Sequence, residues 1–433
     1  MAEIRPLRAW RYNDQLSKKI DELTSPLFDV VSPKQLKALY ANPINSIHIS
    51  VPKGDQPHIS ASEVLKKWKD SKVIIQDRLP AIYVYYQYFR LPGENHERCR
   101  KGFICMVRAY DWDEEVILRH ESTMPHSVKD RKLNLEWTEM NVSPTHGLYT
   151  DPGMSLESYL DESMKHPLYT TENYQGVRDV LSIIHDHDVI KKFMQTIKDK
   201  KIILADGHHR YEGSIAYKHD MMAKNPDHNG LEPYNYHLIY LTNTEADDFR
   251  VLPTHRLVNG VENFSPTKFL ASLQKDFKVK HIENPADLNE VIMGKKWAFG
   301  LIIGEEAYKI RLKKTRIQKI TWNFPEQVKE IDLTVMHFFI FEKILGIKGQ
   351  KQRSSHNITF ERNFTTCLTK VLTKEAQFAL ITNEIQMSTI KQVCYSGGIM
   401  PQKSTYFYPK AICGYLFGTV SVNEFNGEID TCF

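Results

Sequence analysis

One short stretch of the sequence constrains the fold of this chain more than any other: IILADGHHRYEG, residues 202–213. Its first four residues are apolar, and the SIAYKHDMMAK segment that follows has the spacing of a helix. The pattern predicts a strand, a tight turn at Gly207 and then a helix. An acid, a glycine, two histidines and an arginine would therefore lie together where that helix begins.

The start of a helix suits an anion, because its first backbone N–H groups lack partners within the helix and carry a partial positive charge. Gly207 lets the backbone approach a ligand closely. Arg210 supplies a guanidinium group, and His208 and His209 supply further hydrogen-bonding groups. The segment therefore predicts a phosphate-binding turn.

Asp206 does not suit simple anion binding, because its carboxylate would repel a phosphate. An acid beside a phosphate has a use if it binds Mg²⁺, or if it accepts a proton or hydrogen bond from a hydroxyl. That combination is typical of phosphoryl transfer. The alternative is an ordinary helix start, with Asp206 as N-cap, histidines bonded to the backbone and a surface arginine. Zinc is disfavoured, because adjacent histidines diverge and no HxxxH spacing follows.

Two further polar clusters stand out along the chain. RHEST, residues 119–123, ends an apolar segment that reads as a strand. MPQKSTYFYPK, residues 400–410, contains Lys403, Ser404 and Thr405, which would offer a cation and two hydroxyls to a phosphate. A solvated loop is the alternative interpretation of this second cluster.

Composition narrows the class of protein. The chain has 433 residues, 41% hydrophobic and 25% charged, as in globular proteins, and a net charge of +4 without a basic stripe. We therefore expect no nucleic-acid partner. The N-terminus lacks an apolar signal region, and no run of about eighteen apolar residues occurs, so we expect no membrane partner. Six scattered cysteines without a CxxC pair fit a reducing cytoplasm.

The order of predicted elements is irregular, which favours an α+β (mixed α/β) fold over a regular doubly wound sheet. IHISV, residues 47–51, reads as a strand, and residues 81–89 and 102–110 as an antiparallel hairpin. VRDVLSIIHD, residues 177–186, reads as a further strand. Helices are predicted over residues 32–42, 60–70, 127–141, 187–200 and 325–346.

The three polar clusters, taken in order, resemble the motifs of free serine kinases in the ParB/sulfiredoxin-like superfamily. Those kinases carry an H-E pair, an I-V-D-G-H-H-R run before a helix and a P-K-T-T segment near the C-terminus. The whole chain also resembles a family long catalogued as of unknown function, with HE-T, ADGHHRY, LPTHR and MPxKSTYFYPK blocks. Some members of that family look like serine kinases that use pyrophosphate as donor.

This resemblance implies two domains with a cleft between them. Residues 1–257 would form a ParB/sulfiredoxin-like catalytic domain. Residues 258–433 would form a second α/β domain, which contributes the KST loop (Lys403, Ser404 and Thr405). In sulfiredoxins a reactive cysteine takes the place of His208, and in ParB proteins the turn is arginine-rich and serves DNA binding. Here no cysteine lies near the turn and no helix-turn-helix follows, so neither of those activities is expected.

The resemblance also assigns roles to residues. Glu121 would accept the proton of the substrate hydroxyl, and Asp206 would act as a second acid, on Mg²⁺ or on the hydroxyl. The phosphoryl group and its leaving group would be held by Gly207, His208, His209, Arg210, Lys403, Ser404 and Thr405. Substrate-binding roles are assigned to His120, Ser122, Thr123, His255 and Arg256.

The implied reaction is transfer of a phosphoryl group from inorganic pyrophosphate to the hydroxyl of free L-serine, with Mg²⁺ as cofactor. The products are O-phospho-L-serine and phosphate. ADP or ATP as donor, or the reverse reaction of a phosphoserine phosphatase, would use the same residues. A non-catalytic nucleotide- or anion-binding regulator is the alternative of another class. The acids at Glu121 and Asp206 argue against that alternative, because an anion binder gains nothing from them.

Overall fold

The computed structural model describes residues 2–27, 33–91, 94–246 and 250–425. The chain forms two compact units. Unit 1 comprises Met1–Arg119, Thr123–Phe249 and Pro409–Phe433, and unit 2 comprises His120–Ser122 and Arg250–Tyr408. These units differ from the continuous division into residues 1–257 and 258–433, because the chain returns to unit 1 at Pro409 and gives three residues of the RHEST segment to unit 2. Sequence patterning does not reveal such long-range returns.

Unit 1 is built on a nine-stranded mixed sheet. The first twelve strands of the chain belong to this unit: β1 (Ile4–Arg5), β2 (Trp10–Tyr12), β3 (Ile74–Gln76), β4 (Ile82–Phe89), β5 (Arg98–Arg108), β6 (Ile117–Leu118), β7 (Met140–Asn141), β8 (Thr145–Tyr149), β9 (Tyr169–Glu172), β10 (Arg178–Ile184), β11 (Ile202–Asp206) and β12 (Tyr236–Asn243). The sheet order is β6-β11-β8-β12-β5-β4-β10-β9, and β1 pairs with β5. The pairs β6–β11 and β8–β12 are parallel, and the other pairs of this sheet are antiparallel.

Both faces of the sheet are covered, which explains why its central strands are apolar throughout rather than alternating. Along β5, Phe103 and Cys105 pack into one hydrophobic cluster, and Ile104 and Met106 pack into another. Helices surround the sheet: α1 (Ile20–Leu23), α2 (Pro33–Ala41), α3 (Ile47–Ser50), α4 (Pro57–Asp70), α5 (Pro125–Thr138), α6 (Glu157–Ser163), α7 (His187–Lys198) and α8 (His208–Lys224).

Most sequence-based elements of unit 1 are confirmed. The hairpin is β4–β5, with Tyr85 opposite Gly102, and residues 177–186 contain β10. The predicted helix at 32–42 is α2 from Pro33 onward, and Ser32 lies outside the described residues. The strand predicted at IHISV is wrong, because Ile47–Ser50 form the short helix α3. Asn45 stabilises this turn, because its side-chain oxygen accepts a hydrogen bond from the backbone of Ile47 at 2.9 Å.

Unit 2 contains an antiparallel six-stranded sheet in the order β15-β17-β16-β19-β14-β18. Its strands are β13 (Arg250–Leu252), β14 (His255–Val258), β15 (Phe277–Ile282), β16 (Ala298–Ile303), β17 (Glu306–Leu312), β18 (Ile358–Glu361), β19 (Phe378–Ile381) and β20 (Tyr406–Tyr408). β13 and β20 form a separate antiparallel pair. The helices are α9 (Pro266–Asp276), α10 (Leu288–Ile292), α11 (Glu326–Lys329), α12 (Asp332–Met336), α13 (Phe364–Leu372) and α14 (Met387–Tyr395). The last strand, β21 (Gly418–Thr419), belongs to unit 1 and pairs with β7.

The single long helix predicted over residues 325–346 is wrong. The segment is broken into α11, α12 and a π-helical stretch over His337–Ile344. Ile331 is extended at the break, and the Asp332 carboxylate accepts a hydrogen bond from the backbone of Trp297 at 2.7 Å. That bond comes from a distant segment, so helical periodicity alone could not reveal the break. Among the described residues, no helix is long and apolar enough to cross a membrane.

Candidate active site

The turn between β11 and α8 has the conformation that its sequence predicts. Gly207 lies in the left-handed region at φ 90°, directly before a 17-residue helix. A side chain at position 207 would also collide with strand β8, because a Cβ atom on Gly207 would lie 2.6 Å from Thr145 Cγ2. Glycine is therefore required both by the backbone conformation and by the close approach of β8. The first residues of α8 carry the two histidines and the arginine of the motif.

Asp206, the last residue of β11, lies between two cations. Its Oδ1 forms an ion pair with Lys410 Nζ, and its Oδ2 accepts a hydrogen bond from Arg210 Nη2 at 3.0 Å. All three side chains are largely buried, with exposed fractions of 12–17%. The carboxylate therefore holds both positive groups at the helix start, and the three charges sum to +1.

Arg210 is fixed by more than this ion pair. Its Nη1 donates to Ser143 Oγ at 2.8 Å and to the carbonyl of Pro144 at 2.6 Å. The guanidinium group thus ties the start of α8 to the segment that enters β8. Its planar fork suits this use, because several donors can be satisfied at once.

The two histidines at the start of α8 lie within the packed structure of unit 1. His208 is buried. His209 Nε2 accepts a hydrogen bond from the backbone N–H of Met124 at 3.0 Å, just before α5. Thr123 donates to Glu212 Oε2 at 2.6 Å, and Arg119 lies 3.7 Å from the same oxygen. His209 and Glu212, near the start of α8, therefore hold Met124 and the two RHEST residues that belong to unit 1, Arg119 and Thr123.

A buried histidine supports the turn from β12. His237 Nε2 lies 3.1 Å from Thr145 Oγ1, and its Nδ1 lies 2.7 Å from Ser214 Oγ. Burial, and secondarily the positive charge of Arg210, lower the pKa of His237 to about 3. The ring is neutral at pH 7, so it positions Thr145 and α8 without adding charge.

Unit 2 brings the other motifs together. Glu121 Oε1 accepts a hydrogen bond from the backbone N–H of Ser404 at 3.2 Å. His120 Nε2 lies 2.8 Å from Thr405 Oγ1, and its carbonyl accepts from the backbone of Met400 at 2.9 Å. The HE pair and the KST loop, far apart in sequence, are therefore direct neighbours. Ser122 accepts from Arg353 Nη2 at 2.9 Å, which places it at the edge of this group.

Arg256 is fully buried beneath the KST loop. Its Nη2 donates to the carbonyls of Gln402 and Lys403 at 3.3 and 3.2 Å. Burial lowers the pKa of Arg256 to about 9, and the negative charge of Glu121 opposes that shift. Arg256 is therefore still charged at pH 7 and places a positive charge near Glu121. Lys403 has a left-handed backbone at φ 55°, which shapes the loop that Arg256 supports.

His255 has a structural position. Its Nδ1 accepts a hydrogen bond from the backbone N–H of Thr382 at 3.2 Å. Burial, with a smaller effect of the neighbouring Arg256, lowers the pKa of His255 to about 4. The ring is neutral at pH 7 and joins β14 to the end of β19.

Two residues of unit 1 were missed by sequence reasoning. Lys410 ends the MPQKSTYFYPK block, yet only the structure shows that it binds Asp206. Glu212 follows the DGHHR motif by two residues. It accepts a hydrogen bond from Thr123 and forms an ion pair with Arg119. The sequence signal for Glu212 is an acidic residue one helical turn after His208, within residues 202–213.

A magnesium ion does not fit on Asp206 without rearrangement, because both carboxylate oxygens already contact a cation. In the part of the chain that the structure describes, no three histidine, cysteine or acidic side chains form a metal-binding group. Mg²⁺ usually keeps several waters and binds through one or two carboxylates together with substrate phosphates. The residues present do not form a metal site by themselves.

The fold and these clusters define a mixed α/β protein with a large mixed sheet and a separate antiparallel sheet. The chain belongs to the family described as "protein of unknown function (DUF1015)", whose model matches residues 4–334. Among curated proteins, none matches this sequence significantly.

Solved structures with distant similarity cover about three quarters of the chain. A free serine kinase in complex with AMP is 12% identical, with a TM-score of 0.39 over 74% of this chain and 92% of that chain. A conserved hypothetical protein from Pyrococcus furiosus is 12% identical, with a TM-score of 0.37 over 73% and 95%. SbnI with a C-terminal truncation, from Staphylococcus aureus, is 13% identical, with a TM-score of 0.36 over 73% and 87%.

Proposed function

We propose that this protein is a phosphotransferase that phosphorylates the hydroxyl of free L-serine, with a phosphoanhydride as donor. The observation that carries the proposal is the helix start of α8, where Asp206 holds Lys410 and Arg210 beside Gly207. The positive end of the helix dipole and two cations favour a multiply charged phosphate there. The sequence resemblance of the three motifs supplies the acceptor, L-serine.

The proposed donor subsite consists of the backbone at Gly207, the first turn of α8 with His208 and His209, and the two cations. Arg210 acts mainly by positioning, because Nη1 and Nη2 already donate to Ser143, Pro144 and Asp206. Lys410 is the better candidate for direct contact with a phosphate, because its ammonium group has three donors on a flexible stem. The loop residues Lys403, Ser404 and Thr405 are proposed as further phosphate ligands.

Glu121 is the proposed proton acceptor. Its Oε1 is occupied by Ser404, whereas its Oε2 accepts no hydrogen bond from any residue that the structure describes. One carboxylate oxygen is therefore fixed and the other remains for a substrate hydroxyl. The serine oxygen forms a bond to the terminal phosphorus, the bridging P–O bond breaks, and the hydroxyl proton passes to Glu121. The transition state is loose, so this transfer occurs late and positioning matters most.

Mg²⁺ is proposed to enter with the donor, on whose oxygens it would neutralise charge. It would contact Asp206 only by displacing Lys410 or Arg210 from a carboxylate oxygen. Pyrophosphate is the donor that the sequence resemblance favours. ADP or ATP is the second candidate, favoured by the AMP and ADP named in the solved kinase complexes.

Phosphorus NMR tests the proposal directly. Purified protein is incubated with Mg²⁺, L-serine and, in separate samples, pyrophosphate, ADP or ATP. We expect an O-phosphoserine signal that requires both serine and one donor, and the productive sample identifies the donor class. If phosphoserine never forms but added phosphoserine is hydrolysed, the protein is a phosphatase. If neither occurs, the kinase proposal is wrong and the turn is a non-catalytic anion site.

A further inference from the structure

Unit 1 contains a cavity of about 440 Å³ that the proposed kinase chemistry does not use. Its volume is in the range typical of small-molecule sites, roughly 300–1,000 Å³. Four carboxyl side chains line it, from Asp21, Glu22, Glu172 and Asp179. We call it the acidic cavity. Among the described residues that line it, none is a lysine, arginine or histidine.

Asp179 marks the inner end of the acidic cavity. It lies on β10 and its side chain is fully buried. Its Oδ1 accepts hydrogen bonds from the hydroxyl of Tyr85 at 2.5 Å and from Gln87 Nε2 at 2.8 Å. Its Oδ2 accepts none from the described part of the chain. A buried acceptor without a donor raises the free energy of the folded protein. A hydrogen-bond donor from a ligand would remove that penalty at Oδ2.

The protein supplies little positive charge to Asp179. The cation that acts on it is Arg100, on β5, but no ion pair joins the two within the described chain. The guanidinium group of Arg100 instead donates to Gln87 Oε1 and to the carbonyl of Pro409. The other titratable groups that face Asp179 are the phenols of Tyr85, Tyr240 and Tyr415. The inner end of the cavity is therefore suited to a positively charged donor.

The outer end of the acidic cavity is also negative. Asp21, Glu22 and Glu172 are exposed, and Asp21 Oδ1 accepts a hydrogen bond from the backbone of Glu172 at 3.2 Å. The aromatic ring of Tyr174, 61% exposed, lies beside them and can stack against a cation. Leu39 and Ile412 also line the cavity and can contact methylene groups. Negative groups at both the buried and the exposed end, together with these apolar lining residues, match an aliphatic ligand with two separated ammonium groups.

We propose that the acidic cavity binds a small aliphatic diamine, with one ammonium group on Asp179 and the other near Asp21 and Glu172. A divalent metal ion is a poorer match, because the described residues contain no cluster of three metal-ligating side chains. The proposal does not rest on the kinase reaction, because it concerns a different set of residues and its test measures binding.

The protonation of Asp179 gives the interaction a pH dependence. Burial raises the pKa of Asp179 to about 7, although the hydrogen bonds from Tyr85 and Gln87 oppose the shift. An ammonium group binds the ionised carboxylate. Diamine affinity therefore increases as the pH rises from about 6 to about 8, while an aliphatic diamine itself remains protonated over that range.

Isothermal titration calorimetry of the full chain with cadaverine tests this proposal. The uncharged control is 1,5-pentanediol, the diol of the same chain length. Cadaverine is expected to bind in a saturable way and the diol is not. Asp179→Asn, which keeps an oxygen for Tyr85 and Gln87, should weaken cadaverine binding by at least about tenfold, the effect of losing a charged hydrogen bond. Asp113→Asn, a carboxyl that is exposed and outside the cavity, should leave it unchanged.

Glu172→Gln provides a second variant, at an exposed position where the substitution leaves the core of unit 1 unchanged. It should weaken cadaverine binding by roughly two- to fivefold, as expected for a rim charge. Absence of saturable binding by the wild-type protein would overturn the proposal. Equal affinities of the wild-type, Asp179→Asn and Glu172→Gln proteins would overturn it as well, because binding would then be a general effect of negative surface charge.

Discussion

Lys410 Nζ forms an ion pair with Asp206 Oδ1, although the two residues are 204 positions apart in sequence. Through this pair the segment that follows the KST loop is joined to the turn at Gly207 within unit 1. The same carboxylate holds Arg210, so one acid organises two cations at the start of α8. In the structure Asp206 organises two cations, and its role as a second acid on Mg²⁺ or on the substrate hydroxyl stays a prediction.

Replacing Lys410 with Met should weaken donor use. The variant removes the ammonium group while keeping much of the side-chain volume, and Asp206 then retains only Arg210. We expect kcat/KM for the phosphoryl donor to fall by about ten- to hundredfold, as for loss of a hydrogen bond to a charged group. Lys67→Met, at an exposed position on α4, should have no effect. Equal donor kinetics in the two variants would show that Lys410 does not serve the donor.

Replacing Arg210 with Lys should destabilise unit 1 as well as impair activity. A lysine cannot reproduce the hydrogen bonds to Ser143, Pro144 and Asp206 at once. We expect a loss of about 1–3 kcal/mol in the free energy of unfolding, measured by urea denaturation. Arg90→Lys, an exposed arginine at the end of β4, is the matched control. Unchanged stability of Arg210→Lys would contradict the positioning role.

Replacing Gly207 with Ala should disrupt the turn through two separable effects. The positive φ alone costs about 1 kcal/mol, and the contact with Thr145 Cγ2 adds to this. Gly176→Ala is the matched control, because Gly176 has φ 73° but no atom within 4 Å of the added Cβ. Thermal melting should therefore show a larger loss for Gly207→Ala than for Gly176→Ala. Adding Thr145→Ser, which removes Cγ2, should restore part of that difference, and no restoration would show that the contact with Cγ2 is not its cause.

Asp179 should make stability depend on pH. Its pKa in the folded protein is about 7, above the unfolded value of about 3.9, so the folded state binds the proton more tightly. Stability contributed by this group is therefore lost as the pH rises from about 4 to about 7. Asp179→Asn removes the dependence. The variant should gain melting temperature over the wild type as the pH increases through that range, and a constant difference would contradict the raised pKa.

The local part of the candidate site could be predicted from the sequence. The strand, the turn at Gly207 and the helix α8 follow from short-range patterning, because each depends on neighbours within one element. The ion pair of Lys410 with Asp206 could not be predicted in this way, because it joins segments that only the fold brings together. The strand prediction for IHISV is wrong for a local reason: its alternating apolar residues suggest a strand, but the Asn45 side chain bonds the backbone of Ile47 and the segment forms a short helix.

The proximity of the HE pair to the KST loop shows a different limit. Resemblance to a family predicts that both motifs serve one reaction, but it does not show which atoms meet. The structure adds that Ser404 donates its backbone N–H to Glu121, and that Arg256 supports the loop from below. The break at Ile331 was likewise hidden, because the Trp297–Asp332 hydrogen bond is not local.

The central claim is that Glu121 serves phosphoryl transfer to serine, and its most direct test is the serine-dependent rate of phosphoserine formation by the Glu121→Gln protein. Glutamine keeps the oxygen that Ser404 contacts but cannot accept the hydroxyl proton. We predict a fall in kcat of about 10²–10⁴-fold with unchanged melting temperature. Glu305→Gln, in the exposed turn between β16 and β17, should retain full activity. Phosphoserine formation by Glu121→Gln at the wild-type rate would contradict the account.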